Sequence, residues 1–221
     1  MMKNLPLLKR EIFLSYKNVN NLIVSIFFFI ISIAIFIISI GPDRLIDSNI
    51  GNAIIWVVLL FTILLNVEQF FTRDFWDGSI KELQVLGFCP ELIILTKLST
   101  MYIFMIIPLL IIIPFIGPML KVDMNELIIL VLSIAIGSPT LLLISILGVL
   151  LTLQSKNTKI LLVTLIFPFC IPIMIFGIGI LEMYKSDMAI LQNFFILFAI
   201  FLITLPLTLF AGKYAFKEIN N

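Results

Sequence analysis

Six stretches of the chain run for 18 or more positions without a charged residue. A helix needs about 20 consecutive apolar residues to cross the hydrocarbon core of a bilayer. Soluble domains do not carry six runs of this length, so the pattern is typical of a membrane protein. The sequence predicts six transmembrane helices, at about 22–40, 50–67, 98–118, 127–153, 160–181 and 189–210.

The composition narrows the fold to one class. Of all residues, 62% are hydrophobic and only 12% are charged. A transmembrane barrel would show short segments of alternating polarity, whereas these runs are continuously apolar, so helices are favoured. The polar remainder is too short to form a separate soluble core. We therefore predict an all-α membrane protein with one domain, residues 1–221. The first apolar run is 19 residues long and follows 21 residues of polar or mixed sequence, which does not fit a cleaved signal peptide. We expect this span to remain in the mature protein.

The Lys and Arg residues between the predicted spans set the expected orientation. If both termini face the cytoplasm, eleven of them lie inside and three lie outside. The acidic residues divide seven to six and carry no such bias. We predict that both termini face the cytoplasm of a bacterium, with the chain in the inner membrane, or the matrix if the chain is mitochondrial.

Residues 4–20 are predicted to form an amphipathic helix on the inner membrane surface. Leu5, Leu8, Ile12, Tyr16 and Val19 recur at spacings of three and four, which places them on one helical face. Basic residues surround that face. A plain basic leader that only orients the first span remains the alternative.

The polar segment 68–90, between the second and third spans, is the most informative loop. Asp77 and Gly78 favour a turn, and Ser79 with Glu82 matches a capping box at the start of a short helix. Gly87 is expected to end that helix near residue 86, followed by a proline.

Two interpretations of this loop stay open. Four aromatic residues give it a large apolar surface, which suits either contact with the membrane interface or docking of a cytoplasmic partner. A metal or acid–base site at Asp74 and Asp77 is disfavoured, because the loop offers no third ligand. The aromatic residues are Phe70, Phe71, Phe75 and Trp76.

Prolines and glycines inside the predicted spans indicate kinks and close packing. Pro139 interrupts the fourth span, and Pro168 and Pro172 interrupt the fifth. Ser133 and Gly137 form a small-xxx-small pair that permits close helix approach. Two glycines at 177 and 179 suggest that the outer half of the fifth span folds back as a re-entrant piece.

The sequence contains no recognisable catalytic, cofactor-binding or metal-binding constellation. Histidine is absent, and the two cysteines fall in different environments, which removes the common zinc, proton-relay and haem-ligand patterns. No P-loop sequence is present, so the chain cannot bind ATP by that route. We expect a membrane subunit rather than an enzyme, with no energy source of its own and no nucleic-acid partner.

A set of short motifs follows in a characteristic order and spacing along the chain. They are Ile40–Pro42, Ile55–Val57, Phe71–Asp74, Asp77–Ser79, Leu83, Pro90, Gly137–Leu141, Gly148, Leu151, Thr152, Pro168, Pro172, Phe176 and Gly177. In this order and spacing they resemble the CcmB family of haem-exporter permeases of the cytochrome c maturation system. Length and the six-span layout match as well, so the resemblance covers essentially the whole chain. The chain departs from the family where a second proline is usual, at 87–89, and where small residues are usual, near 145–147.

The resemblance implies the membrane subunit of an ABC-2-type transporter that acts in cytochrome c biogenesis. A separate ATP-binding subunit would be its partner, two copies of each would form the core, and other maturation proteins would join it. The work implied is haem export or, alternatively, release of a haem-loaded periplasmic chaperone. The inner loop becomes the coupling element, and the helix kink and packing positions become Gly137, Pro139, Gly148, Pro168 and Pro172. The implied coupling residues are Arg73, Asp74, Asp77, Gly78 and Glu82.

Haem is then a handled substrate and not a resident cofactor. Because the chain lacks histidine, we expect it to transmit ATPase motion without ligating haem iron. Two other functions remain as alternatives: an ATP-independent secondary transporter or channel, and a non-transporting membrane scaffold of the maturation complex.

Overall fold

The computed structural model describes residues 4–17, 19–41, 50–152 and 158–219. Over these residues the chain is helical and contains no strand, as expected where lipid cannot satisfy backbone hydrogen bonds. A π-helical turn, Tyr102–Ile106, and a 3₁₀ turn, Gly117–Leu120, flank α6. The α-helices are α1 (Asn4–Lys17), α2 (Val19–Ile40), α3 (Ile50–Trp76), α4 (Ser79–Val85), α5 (Pro90–Met101), α6 (Ile107–Ile116), α7 (Met124–Thr152), α8 (Thr158–Lys185) and α9 (Leu191–Ile219).

Six helical segments are long and apolar enough to cross a membrane, which confirms the predicted fold. They are Leu22–Ile40, Ile50–Trp76, Pro90–Leu120, Met124–Thr152, Ile166–Lys185 and Leu191–Phe216. The loop residues 42–49 and 153–157, including two of the basic residues used for the charge count, lie outside the described residues.

Three spans are longer as helices than their apolar runs predicted. The second was expected to end at residue 67 but continues to Trp76, and the third begins at Pro90 instead of residue 98. The sixth was expected to end at residue 210 but continues to Ile219. An apolar run measures the part of a helix in hydrocarbon, whereas a helix continues until a residue breaks it. As a result, Lys97, assigned to the loop from the sequence, lies about two turns inside α5.

The third span changes its helical form near Pro108. The π-helical turn Tyr102–Ile106 precedes this proline, which has no backbone N–H to donate. The Tyr102 hydroxyl donates a hydrogen bond to the Ala135 carbonyl of α7 over 3.0 Å. The irregular turn is therefore tied to a neighbouring span.

Helices α3, α7 and α8 meet around one large side chain at the centre of the bundle. Trp56 of α3 is fully buried. A Cβ added at Gly137 of α7 would lie 2.5 Å from its ring, and one added at Gly177 of α8 would lie 2.4 Å from it. Because a Cβ at either position would clash with the ring, glycine at 137 and 177 permits the close approach of the three helices.

The fifth span does not fold back on itself. Helix α8 runs without a break from Thr158 to Lys185, through both glycines, so the predicted re-entrant piece is wrong. In place of a break, the amide of Asn52 donates to the Ile178 carbonyl over 2.9 Å and joins α3 to α8. A break would free backbone groups that find no water inside a membrane, whereas the unbroken helix satisfies them internally.

The N-terminal helix α1 packs on the bundle through a face that the apolar spacing did not predict. Leu7, Glu11 and Ser15 are buried, whereas Tyr16 is 71% exposed. Leu8 and Ile12 are half-buried, and the predicted side chains at 5 and 19 lie outside the described ones. The buried face carries the polar residues Glu11 and Ser15, which is why the apolar spacing did not predict it.

Candidate functional site

The candidate site lies at the end of the bundle that carries α1, α4 and the last turns of α9, called here the α4 end. Lys213 of α9 lies 3.8 Å from Glu91 of α5, and Gly212 packs against Ile94. These contacts place the end of α9 beside the start of the third span. The predicted short helix between spans two and three is confirmed as α4.

The turn into α4 is built by Gly78. This residue has φ +74°, in the left-handed region that favours glycine, and its backbone carbonyl accepts from the Glu82 N–H over 3.1 Å. The predicted capping box is wrong, because Gly78 is the cap and no side chain bonds the helix start. The left-handed glycine starts the helix one residue earlier than Ser79 would as a cap.

The end of α4 is a hydrogen-bonded glycine cap, as predicted. Gly87 has φ +85°, its N–H donates to Gln84 over 2.9 Å, and the Phe88 N–H donates to Leu83 over 3.1 Å. This pair of bonds is the Schellman arrangement. Pro90 then opens α5 at its first position, so the orientation of α4 is fixed at both ends.

Helix α4 is anchored on one side and open on the other. Ile80 and Leu83 are buried against the bundle, whereas Val85 is 88% exposed and Leu86 is 69% exposed. Lys81 and Glu82 are exposed as well. Exposed apolar residues that border charges, as they do here, suit contact with a partner or with the membrane interface.

Only one of the four aromatic residues expected on this surface lies there. Trp76 is 75% exposed, but Phe71 is fully buried, and Phe70 and Phe75 pack against the core. Because α3 continues past the apolar run, its inner face still meets the bundle at these positions. The exposed surface of the loop is therefore Trp76 together with the open side of α4.

A buried ionic cluster lies directly beneath this surface. Lys97 of α5 is 0% exposed, and its Nζ contacts the Asp74 carboxylate of α3 and lies 3.3 Å from Oε2 of Glu11 on α1. Glu11 is 1% exposed, and its Oε1 accepts from Arg10 over 2.8 Å. The Lys97 cluster, meaning Arg10, Glu11, Asp74 and Lys97, thus joins three helices with alternating charge.

Two aromatic rings complete the surroundings of the ammonium group. Nζ of Lys97 lies 4.8 Å from the ring centroid of Phe70 and 5.6 Å from that of Phe71, within cation–π range. A lysine carries three N–H donors, and two carboxylates and a ring face take them up. The charge is compensated locally, which is the condition for burying it.

The five predicted coupling residues lie in different surroundings. Asp74 points into the Lys97 cluster and is 18% exposed. Arg73 and Asp77 form an exposed pair at 3.7 Å across the last turn of α3. Gly78 shapes the backbone, and Glu82 lies on the open side of α4.

Sequence reasoning missed Glu11 and Lys97. For Lys97 a signal was present, because no turn residue separates it from Pro90 and it therefore lies inside the helix. For Glu11 the signal was the spacing Leu7–Glu11–Ser15, which is one helical face. Neither signal names the partner, since Glu11 and Lys97 are 86 positions apart.

A cavity of about 140 Å³ lies between α1, α3 and the third span, next to the Lys97 cluster. Arg10, Arg73, Asp74 and Asp77 contribute to its polar wall, and Phe70, Met101, Phe104 and Met105 contribute to its apolar wall. It is large enough for several water molecules. The cavity brings three predicted coupling residues together with α1.

Among the described residues, no group of three His, Cys, Asp or Glu side chains is placed to hold a metal ion. Cys89, between α4 and α5, is exposed, and Cys170 of α8 is buried. The site therefore consists of packing surfaces and ion pairs.

Comparison with known proteins identifies the family. The family model described as CcmB protein matches residues 2–218. The chain is similar to proteins named Heme exporter protein B from Haemophilus influenzae (32% identical over 178 residues, 80% of each chain) and Pseudomonas aeruginosa (32% over 176 residues, 80% of this chain and 79% of the other). It is also similar to the protein of that name from Bradyrhizobium diazoefficiens, 26% identical over 213 residues and 96% of each chain. This chain belongs to the CcmB family.

Proposed function

We propose that this chain is the membrane subunit of an ATP-driven haem exporter that acts in cytochrome c maturation. Its relatives are named for haem export, and its six spans suit a single ABC-2-type membrane domain, residues 1–221. The sequence has no P-loop, so a separate ATP-binding subunit provides the energy. We infer two copies of each subunit in the core complex, in the bacterial inner membrane, with both termini inside.

One observation carries this proposal: α4 is a rigid, half-exposed helix set between the second and third spans. Its exposed side offers Val85, Leu86 and two charges, with Trp76 beside it. Its buried side rests on the bundle through Ile80 and Leu83. A partner that binds the exposed side is able to push on both spans at once.

The charge distribution supports docking from the cytoplasm. Eleven of the Lys and Arg residues fall on the α4 side of the predicted membrane and three on the other, which follows the positive-inside bias. Haem is handled as substrate and its iron finds no histidine in this chain. An absorbance spectrum of the isolated subunit that showed stoichiometric, axially ligated haem would contradict that part.

The docking proposal is tested by reversing one exposed charge. Asp77→Lys removes the partner of Arg73 at the edge of α4 and presents a lysine to the docking subunit. With the P-loop ATPase that co-purifies with the chain, we expect this variant to lose the subunit-dependent stimulation of ATP hydrolysis while all six spans stay inserted.

The matched control is Glu182→Lys, the same reversal at an exposed position at the opposite end of the bundle. This variant is expected to stimulate the ATPase as the unaltered chain does. Wild-type stimulation by Asp77→Lys, with its spans correctly inserted, would count against α4 as the docking site.

A further inference from the structure

The Lys97 cluster has a geometry that plain helix packing does not require. Buried ion pairs are seldom more stabilising than apolar residues of the same size, and Lys97 is already surrounded by Phe70 and Phe71. An apolar side chain would pack there without desolvating three charges. The charges instead make the packing specific, because the Lys97 ammonium group reaches both carboxylates only in one arrangement of the three helices.

The attachment of α1 depends on this arrangement. Apart from Glu11, the side chains of α1 that are fully buried are Leu7 and Ser15 among those described. Leu8 and Ile12 add half-buried apolar contacts. Apolar contacts tolerate small shifts of α1 along the bundle, whereas the ion pair between Lys97 and Glu11 fixes its register. Lys97 thus decides where the surface helix lies.

The other end of the cluster is attached to the docking helix. Asp74 lies one turn before Gly78, and the Asp77 N–H donates to the Arg73 carbonyl over 2.9 Å, so the α3 helix stays hydrogen-bonded up to the glycine turn. Any displacement of α4 that bends the last turn of α3 moves the Asp74 carboxylate. In a buried site the ammonium group must follow or lose its partner, because the attraction is strong at low dielectric.

We propose that Lys97 is a positioning residue that transmits movement of α4 to the surface helix α1 and to the third span. The inference rests on the proposed function, since it needs a partner that moves α4. It assigns Glu11 and Lys97, which lie outside the docking surface, to the transmission of that movement.

The test uses a neutral cluster in the full complex with its ATPase. Combining Lys97→Met, Glu11→Gln and Asp74→Asn removes three charges with little change of shape, so no carboxylate is left buried without a partner. We expect the ATPase to bind as before. The stimulation of its ATP hydrolysis by the membrane subunit should fall by about tenfold, within the range of coupling between two sites. A purely structural role predicts a folded complex with unchanged coupling.

A second measurement follows the movement itself. With Cys89→Ser as background, spin labels report each helix against a label at Glu182→Cys. One label is on Gln84→Cys, half-buried beside the docking side of α4, and the other is on Tyr16→Cys of α1, which is 71% exposed. On adding ATP we expect both helices to shift in the chain with its cluster intact. In the neutral variant we expect α4 alone to shift.

The control is Lys185→Met with Glu126→Gln, which removes a 3.0 Å ion pair between α7 and α8 at the opposite end. Both helices should still respond in this variant. If α1 moves with α4 in the neutral variant, the inference about Lys97 is overturned and the proposed function stands. If α4 does not respond to ATP even with the cluster intact, both are overturned.

Discussion

At the α4 end, helices α1, α3 and α5 are joined by charges, whereas at the centre α3, α7 and α8 are joined by shape. The Lys97 cluster has every charge matched to a partner. The indole N–H of Trp56 has no hydrogen-bond partner within the part of the chain that the structure describes, and two glycines enclose its ring. A charged contact shared by three helices makes them move together, whereas a ring packed between glycines holds its helices at a fixed distance. The comparison suggests a fixed centre and a movable α4 end.

The largest expected effect comes from breaking the cluster on one side. Lys97→Met removes the cation that Asp74 and Glu11 share and leaves Glu11 with Arg10 alone. We expect a loss of about 3–5 kcal/mol in the free energy of unfolding. We expect a much lower thermal midpoint in detergent and little accumulation in membranes. The neutral triple variant should recover most of this loss. Equal midpoints for the single and triple variants would show that the charges are not coupled.

A smaller effect is expected at the centre. Gly177→Ala puts a Cβ 2.4 Å from the Trp56 ring, and overpacking of this kind costs about 1–3 kcal/mol. Gly179→Ala, two residues away, meets only the Asn193 amide at 3.0 Å and should cost less. Thermal unfolding of the two variants measures the difference.

Trp56→Phe sharpens this test, because a smaller ring makes room for the added methyl group. If the centre is held by shape, this substitution should rescue part of the Gly177→Ala loss in a double-mutant cycle. Strictly additive effects would mean that the ring and the glycine do not constrain each other.

The smallest effect on stability is expected at the exposed ion pair. Arg73→Gln removes the 3.7 Å contact with Asp77, and both side chains are more than half exposed, so the loss should stay below about 1 kcal/mol. The comparison with Lys97→Met separates a surface pair from a buried one at the same end of the bundle. A loss as large as that of Lys97→Met would mean that the surface pair also supports the fold.

The spans were predictable because continuous apolar sequence has one stable form in lipid. The helix ends were not, since the apolar run of the second span stops at residue 67 while the helix continues to Trp76. The position of Lys97 inside α5 follows from the same difference. The local sequence pattern predicted α4, but its N-cap is the left-handed Gly78 and not the expected Ser79.

The Lys97 cluster could not be predicted from the sequence. Its members come from α1, α3 and α5, and their meeting depends on how these helices pack. Asp74 was singled out as a surface coupling residue, yet it faces Lys97 from the buried side of α3. The contacts of Trp56 with Gly177 were hidden for the same reason, because the two positions lie on different helices.

The proposed function requires α4 to be the cytoplasmic docking surface, and Cys89 is a native probe of that surface. Cys89 is exposed next to α4, whereas Cys170 is buried, so a membrane-impermeant maleimide should label one site. We predict labelling of Cys89 in inside-out vesicles, none from outside intact cells, and protection when the ATPase subunit is bound. Labelling from the outside, or an unchanged rate with the ATPase bound, would contradict the account.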